Sequence, residues 1–224
     1  MWLEVEYIPT SLFSFKDINA TNTAATSLLL PTPFAVKIAL ISEAIQRENL
    51  DKGKEIFNLL KEKEINFKLP EVAVVNKTFG RINDLRNKRG RSKPAYREYV
   101  HFDGNLKIAL DIKDLDENTI RYLKKLFVSI NYFGKKASFM QFKSFETIDD
   151  LSDDYLNLIN ENSINFENES IIQQTEDIPK DASFEAINIY DSSESLRRKD
   201  NKLRFVVNIE RTLSGDGYQY FKFN

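Results

Sequence analysis

Pro31-Thr32-Pro33-Phe34-Ala35-Val36-Lys37-Ile38-Ala39-Leu40-Ile41 is the stretch from which the rest of the chain is read. Threonine before proline supplies an N-cap hydroxyl, and the proline's missing N–H costs nothing at the first helical position. Phe34, Ile38, Ile41 and Ile45 recur at helical spacing, so a helix with one apolar face starts here. Upstream, Trp2 to Ile8 alternates Leu3, Val5 and Tyr7 with Glu4 and Glu6, the period of a strand with one buried face. Downstream, Asp51 to Ile65 is a more charged helical pattern around Ile56, Leu59 and Leu60, and Glu71 to Val75 is a short β-branched run. Glu98 to Phe102 and Leu106 to Ile112 flank Asp103-Gly104, a dipeptide suited to a type I′ turn, which predicts a hairpin pairing His101 with Leu106 and Tyr99 with Ile108. Both side chains then face a largely apolar surface. Asp114 and Glu117 open a helix with Ile120, Leu123, Phe127 and Ile130 on one face, and Ser138 to Phe145 reads as a strand after Gly134.

The order over residues 1–145 is strand, helix, strand, strand, helix, strand, with an extra helix and a basic excursion inserted. It predicts an α+β chain built on a ferredoxin-like, RRM-like βαββαβ domain. Right-handed crossovers place both helices on one sheet face and leave the other for RNA. The expected division is a domain over 1–148, with a basic thumb hairpin at about 75–97, and a second region over 149–224. In the second region Asp149 to Lys180 reads as an acidic linker, Phe184 to Tyr190 and Leu203 to Arg211 as strands, and Ser214-Gly215-Asp216-Gly217 as a turn into Tyr218 to Phe223.

Composition narrows the function. The 224 residues, 42% hydrophobic, are enough for one large or two small cores, so a folded globular chain is expected. Zero cysteines exclude a disulfide framework, a cysteine-ligated metal and a thiol nucleophile, and fit a reducing cytoplasm. The acidic N-terminus and the lack of any long apolar run argue against secretion and membrane insertion. A net charge of -2 conceals segregation. Residues 77–97 hold eight basic side chains against Asp84 alone, whereas residues 146–196 hold fourteen acidic ones against Lys180 alone.

The basic cluster is Lys77, Arg81, Arg86, Lys88, Arg89, Arg91, Lys93 and Arg97, interleaved with Phe79 and Tyr96. Guanidinium forks for phosphate oxygens and aromatic faces for unstacked bases are what a nucleic-acid backbone requires. A merely solvated loop normally carries balancing acids, and here only Asp84 is present. Lys135 and Lys136 follow Gly134 at a helix-to-strand junction, which fits either a solvated turn or an RNA contact. His101 is the only histidine and the one conventional general-base candidate, with Tyr99 or Tyr96 as helpers; its predicted pairing favours packing. Asp149, Asp150, Asp153 and Asp154 lack a cation-binding template. No phosphate-binding glycine loop, dinucleotide fingerprint or nucleophile elbow occurs, and no cofactor or metal is implied.

Ser11-Leu12-Phe13-Ser14-Phe15-Lys16, then Ser27 to Leu30, then the Pro31-Thr32-Pro33 helix start, resembles the Cas-five family of Cascade-type CRISPR effector complexes. Phe133-Gly134-Lys135-Lys136-Ala137-Ser138-Phe139 resembles that family's glycine-basic-serine junction before the last strand. The chain differs in lacking the glycine common after the first strand and in placing Lys37 where many members carry a small residue. The resemblance implies a subunit that grips the 5′ handle of the CRISPR RNA (crRNA) and caps the filament of backbone subunits. Such a subunit also meets the complex's large subunit and reaches target DNA only through the complex. It further implies RNA contact at Phe15, Lys16, Lys135 and Lys136, with residues 75–97 as the thumb. One branch of the family cleaves precursor RNA with a tyrosine, a lysine and a histidine; His101 has no lysine before it, so a non-catalytic binder is expected. A metal-independent endoribonuclease, and a protein-interaction domain using the acidic segment, are the alternatives.

Overall fold

The structure is a computed structural model that describes the whole chain except residues 18, 22–23, 84–91, 160–168, 189–195, 197–200 and 224. Strand β1 (Trp2–Pro9) buries Leu3, Val5 and Tyr7 completely, as its alternation predicts. Short strands β2 (Phe15–Lys16), β3 (Ala24–Ala25) and β4 (Ser27–Leu28) follow, β2 pairing with β4. Helix α1 (Pro33–Arg47) starts where the sequence places it: the Thr32 hydroxyl accepts from the Ala35 N–H at 3.1 Å, and Pro33 is the first helical residue. Helix α2 (Leu50–Leu60), capped by Asn49, stops five residues before the expected Ile65, because β5 (Ile65–Lys68) begins there.

The long strands β6 (Val72–Asn83) and β7 (Ser92–Asp103) pair in continuous antiparallel register. Then come β8 (Leu106–Asp111), α3 (Glu117–Ser129, capped by Asp116), β9 (Met140–Ile148), β10 (Asn157–Leu158), β11 (Ser170–Glu176), β12 (Lys202–Gly215) and β13 (Tyr218–Phe223). The first sheet has the order β5-β8-β1-β9, antiparallel throughout. With α1 and α3 as its helices, this mixed α+β arrangement is consistent with a ferredoxin-like βαββαβ unit. The Tyr7 hydroxyl donates to the Phe127 carbonyl of α3 at 2.7 Å, tying the central strand to the helical layer. The second sheet runs β10-β12-β13-β6-β7-β3, with β11 also on β12.

Several expectations are corrected. The second strand of the ferredoxin-like unit is Ile65–Lys68, which the sequence reading assigned to the end of a helix. Glu71 to Val75 and Glu98 to Phe102 instead belong to the second sheet, so the β6–β7 arm is inserted between β5 and β8. The Asp103-Gly104 hairpin does not form: β8 pairs with β1 and β5, while β7 pairs with β6 and β3. Only Gly104 has positive φ (+128°), whereas a type I′ turn needs it at both positions. A Cβ at Gly104 would lie 2.8 Å from Pro70 Cβ, so the glycine serves the tight crossing between sheets. His101 therefore stands opposite Val74, exposed rather than packed. Regular strand also persists through Gly80 and Pro94; Pro94 lies on the arm side of the β3 pairing, where the β7 edge tolerates proline's missing donor.

In the C-terminal region, β12, the Ser214–Gly217 turn and β13 form as expected, Gly217 taking φ +84°. The presumed linker contains β10 and β11. Phe184 to Tyr190 is not a strand over its described part but a single 3-10 turn, Glu185–Ile187. The outward face of the first sheet is not bare. Glu4 binds Lys107 at 2.7 Å and accepts from the Tyr155 hydroxyl, and Glu6 accepts from Asn105, Lys143 and Ser144. These carboxylates disfavour phosphate on the face where RNA was expected. Among the described residues no helix is long and apolar enough to cross a membrane.

Candidate nucleic-acid interface

A groove of about 770 Å³ opens between β2, one face of α1 along its length and the segment that follows α3. Its walls include Lys16, Lys135 and Lys136 together with Phe34, Tyr132 and Phe139. Local chemistry explains why residues 120 positions apart meet. Gly134 takes φ +66°, a left-handed turn that a side chain would resist. The chain then folds back so that Ser138, 1% exposed, accepts from the Ser14 N–H at 3.2 Å and donates to the Ser14 carbonyl at 3.3 Å. This pair of hydrogen bonds to the backbone of one residue carries Lys135 and Lys136 to the strand that bears Lys16. Phe15 is only 6% exposed, its ring tilted against Phe13 at 4.9 Å and its N–H held by the Ser27 hydroxyl. It forms wall rather than a free stacking platform.

The electrostatics of the groove are positive. Burial, the Arg97 guanidinium and the Lys16 ammonium together push the Lys135 amine below the ordinary lysine value. Such crowding of like charges is unfavourable in the free protein and is relieved by an anion. Two carboxylates also line the groove, Glu43 and Glu176, and Glu43 is held by Arg47 at 2.8 Å.

Register divides the arm's side chains between two faces. Lys77 opposite Glu98, Phe79 opposite Tyr96 and Arg81 opposite Pro94 lie on the face whose root, Ala73, Val75, Val100 and Phe102, is buried in the core. Lys93 and Arg97 lie on the other face. Where the first face leaves the core, Phe79 and Tyr96 remain 58% and 57% exposed, their rings 5.4 Å apart edge to face. The candidates Arg86, Lys88, Arg89 and Arg91 lie outside the described residues. The structure thus gathers Phe15, Lys16, Lys135 and Lys136 around one groove with Arg97 at its margin, and sets Lys77, Arg81 and Lys93 along the arm.

Sequence reasoning missed the groove's aromatic lining of Phe34, Tyr132 and Phe139. Phe139, directly after the junction serine, is 48% exposed, and no sequence pattern signals that exposure. Among the described residues no group of three or more metal-ligating side chains converges, and Asp154 is engaged by Lys68.

No family model matches the chain. It is similar to the CRISPR-associated protein Cas5 of Archaeoglobus fulgidus, 26% identical over 200 residues that cover 84% of this chain and 85% of the relative. Its fold is similar to a chain of a CRISPR RNA-guided surveillance complex, with TM-score 0.50, 12% identity and coverage of 93% of this chain and 90% of the other. A crystal structure of a CRISPR protein from Archaeoglobus fulgidus aligns over the whole chain and 92% of its own length, with TM-score 0.45 and 13% identity. The resemblance read from the junction and helix-start motifs is therefore borne out by a homologous Cas5 protein.

Proposed function

We propose that this chain, CRISPR-associated and similar to Cas5 of Cascade-type systems, is a non-catalytic subunit that grips the 5′ handle of crRNA and caps the filament of backbone subunits. The observation that carries the reading is the convergence of Lys16, Lys135, Lys136 and Arg97 around a groove with aromatic walls. Ammonium groups held this way neutralise phosphates, and ring faces accept unstacked bases. The β6–β7 arm is the thumb, pressing on RNA with Phe79, Tyr96, Lys77 and Arg81. Residues 1–148 are the RNA-binding domain and 149–224 its β-rich extension. The partners are crRNA, the backbone subunits and the large subunit, target DNA is met only through the complex, and the assembly is cytoplasmic.

The endoribonuclease alternative draws on His101, which is exposed in one cross-strand row with Tyr220 and Val74. That row offers no lysine to stabilise a cleaved phosphate. Loss of RNA cleavage in His101→Ala, with wild-type cleavage persisting in chelator, would establish it.

The test of the main reading reverses the groove. In Lys16→Glu/Lys135→Glu/Lys136→Glu, recovered with its partner subunits by affinity tag, RNA retention falls at least about tenfold. Full RNA recovery in that variant would refute the groove as the handle site.

A further inference from the structure

On the outward face of the second sheet, register aligns side chains from neighbouring strands. Tyr218 of β13, Asn76 of β6 and Tyr99 of β7 form one row; Leu213 of β12, Tyr220, Val74 and His101 form the next. Residues of the opposite parity, Phe221, Ala73, Val75, Val100 and Phe102, are buried, so these rows face solvent. Tyr218 and Leu213 are each 45% exposed, His101 is exposed, and Tyr99 and Tyr220 are half-buried. Arg97 stands two residues before Tyr99 on the same face, and Arg211 borders the opposite end beside Lys222. Asp103 is the carboxylate that β7 adds to this face, and Lys222 is occupied by Glu210 at 2.7 Å.

We propose that this face is a second binding surface, for single-stranded nucleic acid, on which Tyr99, Tyr218 and Tyr220 stack with unpaired bases while Arg97 and Arg211 take flanking phosphates. Alternate residues of one strand, such as Tyr218 and Tyr220, are about 6.8 Å apart, twice the roughly 3.4 Å rise per nucleotide of a stacked strand. An extended strand with bases splayed therefore matches the ring spacing. Solvent-facing phenol rings, one exposed and two half-buried, bordered by guanidinium groups at both ends complement a polyanion with aromatic bases better than they complement an apolar protein surface. Arg97 makes the path continuous: its charge reaches Lys135 in the groove, and its strand position adjoins Tyr99. The surface goes beyond handle binding, and only this continuity draws on the groove reading.

The experiment uses the purified full chain and an oligouridine or oligothymidine of about twelve nucleotides, a length within the usual site size of single-strand binders. Tyr99→Leu/Tyr218→Leu/Tyr220→Leu lowers affinity at least about tenfold, whereas the corresponding Tyr→Phe triple, which keeps the rings, stays within about twofold. Photocrosslinks from 5-iodouridine map to Tyr99, Tyr218 or Tyr220. If the leucine triple melts early, the single change at the more exposed Tyr218 and the crosslink map decide. Unchanged affinity in the leucine variants or crosslinks confined to the groove would each overturn the proposal. Comparison with Lys135→Glu/Lys136→Glu separates the two readings. Binding weakened only by the tyrosine changes sinks the groove and keeps this surface; binding weakened only by the lysine changes does the reverse.

Discussion

The groove and the arm carry charge of the same sign in opposite mechanical settings. Groove cations sit on backbone pinned by the Ser14–Ser138 bonds and walled by α1, with Lys135 pushed off its ordinary pKa by its surroundings. Arm cations stand on a ribbon whose outer half has left the core, and Lys77, half exposed, meets Glu98 only at 3.9 Å. The difference suggests a division of labour: the groove sets where a phosphate sits, and the arm adds attraction with little positional demand. That division is open to attack from either side.

The largest effect is expected where the groove's wall is anchored. Lys37 is fully buried in α1 and bonds Asp177 just beyond β11 at 2.7 Å; burial lowers the lysine pKa and raises that of the aspartate, against the pull of their pairing. Lys37→Ala leaves the largely buried Asp177 carboxylate without its cation and costs up to about 3–5 kcal/mol of stability, measured by denaturant unfolding, whereas Lys37→Met with Asp177→Leu recovers most of it. A small loss in the single variant would mean that α1 is not held from this side. Next in size is Ser138→Ala, which strands the buried Ser14 N–H for about 1–3 kcal/mol and loosens the groove without touching the arm.

A third expectation concerns pH. Because the free Lys135 pKa is lowered, the amine is charged and RNA binding is full well below that value, then binding weakens as pH rises through it, earlier than for an ordinary lysine. Bound phosphate favours the ammonium, so binding takes up protons in that window. Lys135→Arg, which stays charged, flattens the alkaline limb of a binding titration; an unchanged limb would remove Lys135 from the RNA contact. Smallest is the arm: Phe79→Ala/Tyr96→Ala changes stability by less than about 1 kcal/mol, and any RNA release it causes is seen first at raised salt. A collapse of RNA binding at low salt in that variant would reverse the division of labour.

What the sequence disclosed follows from how local each signal is. The α1 start was legible because a cap is written in two adjacent residues, Thr32 and Pro33, and the β12–β13 turn because Gly217 needs a positive φ. β5 was illegible: Ile65-Asn66-Phe67-Lys68 follows a helix within five residues and carries too few positions to show a period. The β7–β8 error arose because Asp103-Gly104 is a local signal, while strand pairing is decided by distant partners. The consecutive burial of Ile108, Ala109 and Leu110 marks a central strand buried on both faces, not half of an amphipathic hairpin. In the site, the convergence of Lys16 with Lys135 and Lys136 came from the family resemblance, since no spacing rule links them. The tyrosine rows require the register of three strands and were out of reach.

The most direct measurement is to recover the protein from its host with its natural partners and sequence the RNA that accompanies it, with 5′ ends mapped, for wild type and the groove-reversed variant. The account predicts short RNAs that share one repeat-derived 5′ end with the wild type and their loss from the variant. Heterogeneous RNA with the wild type, or the same uniform RNA with both proteins, would contradict it.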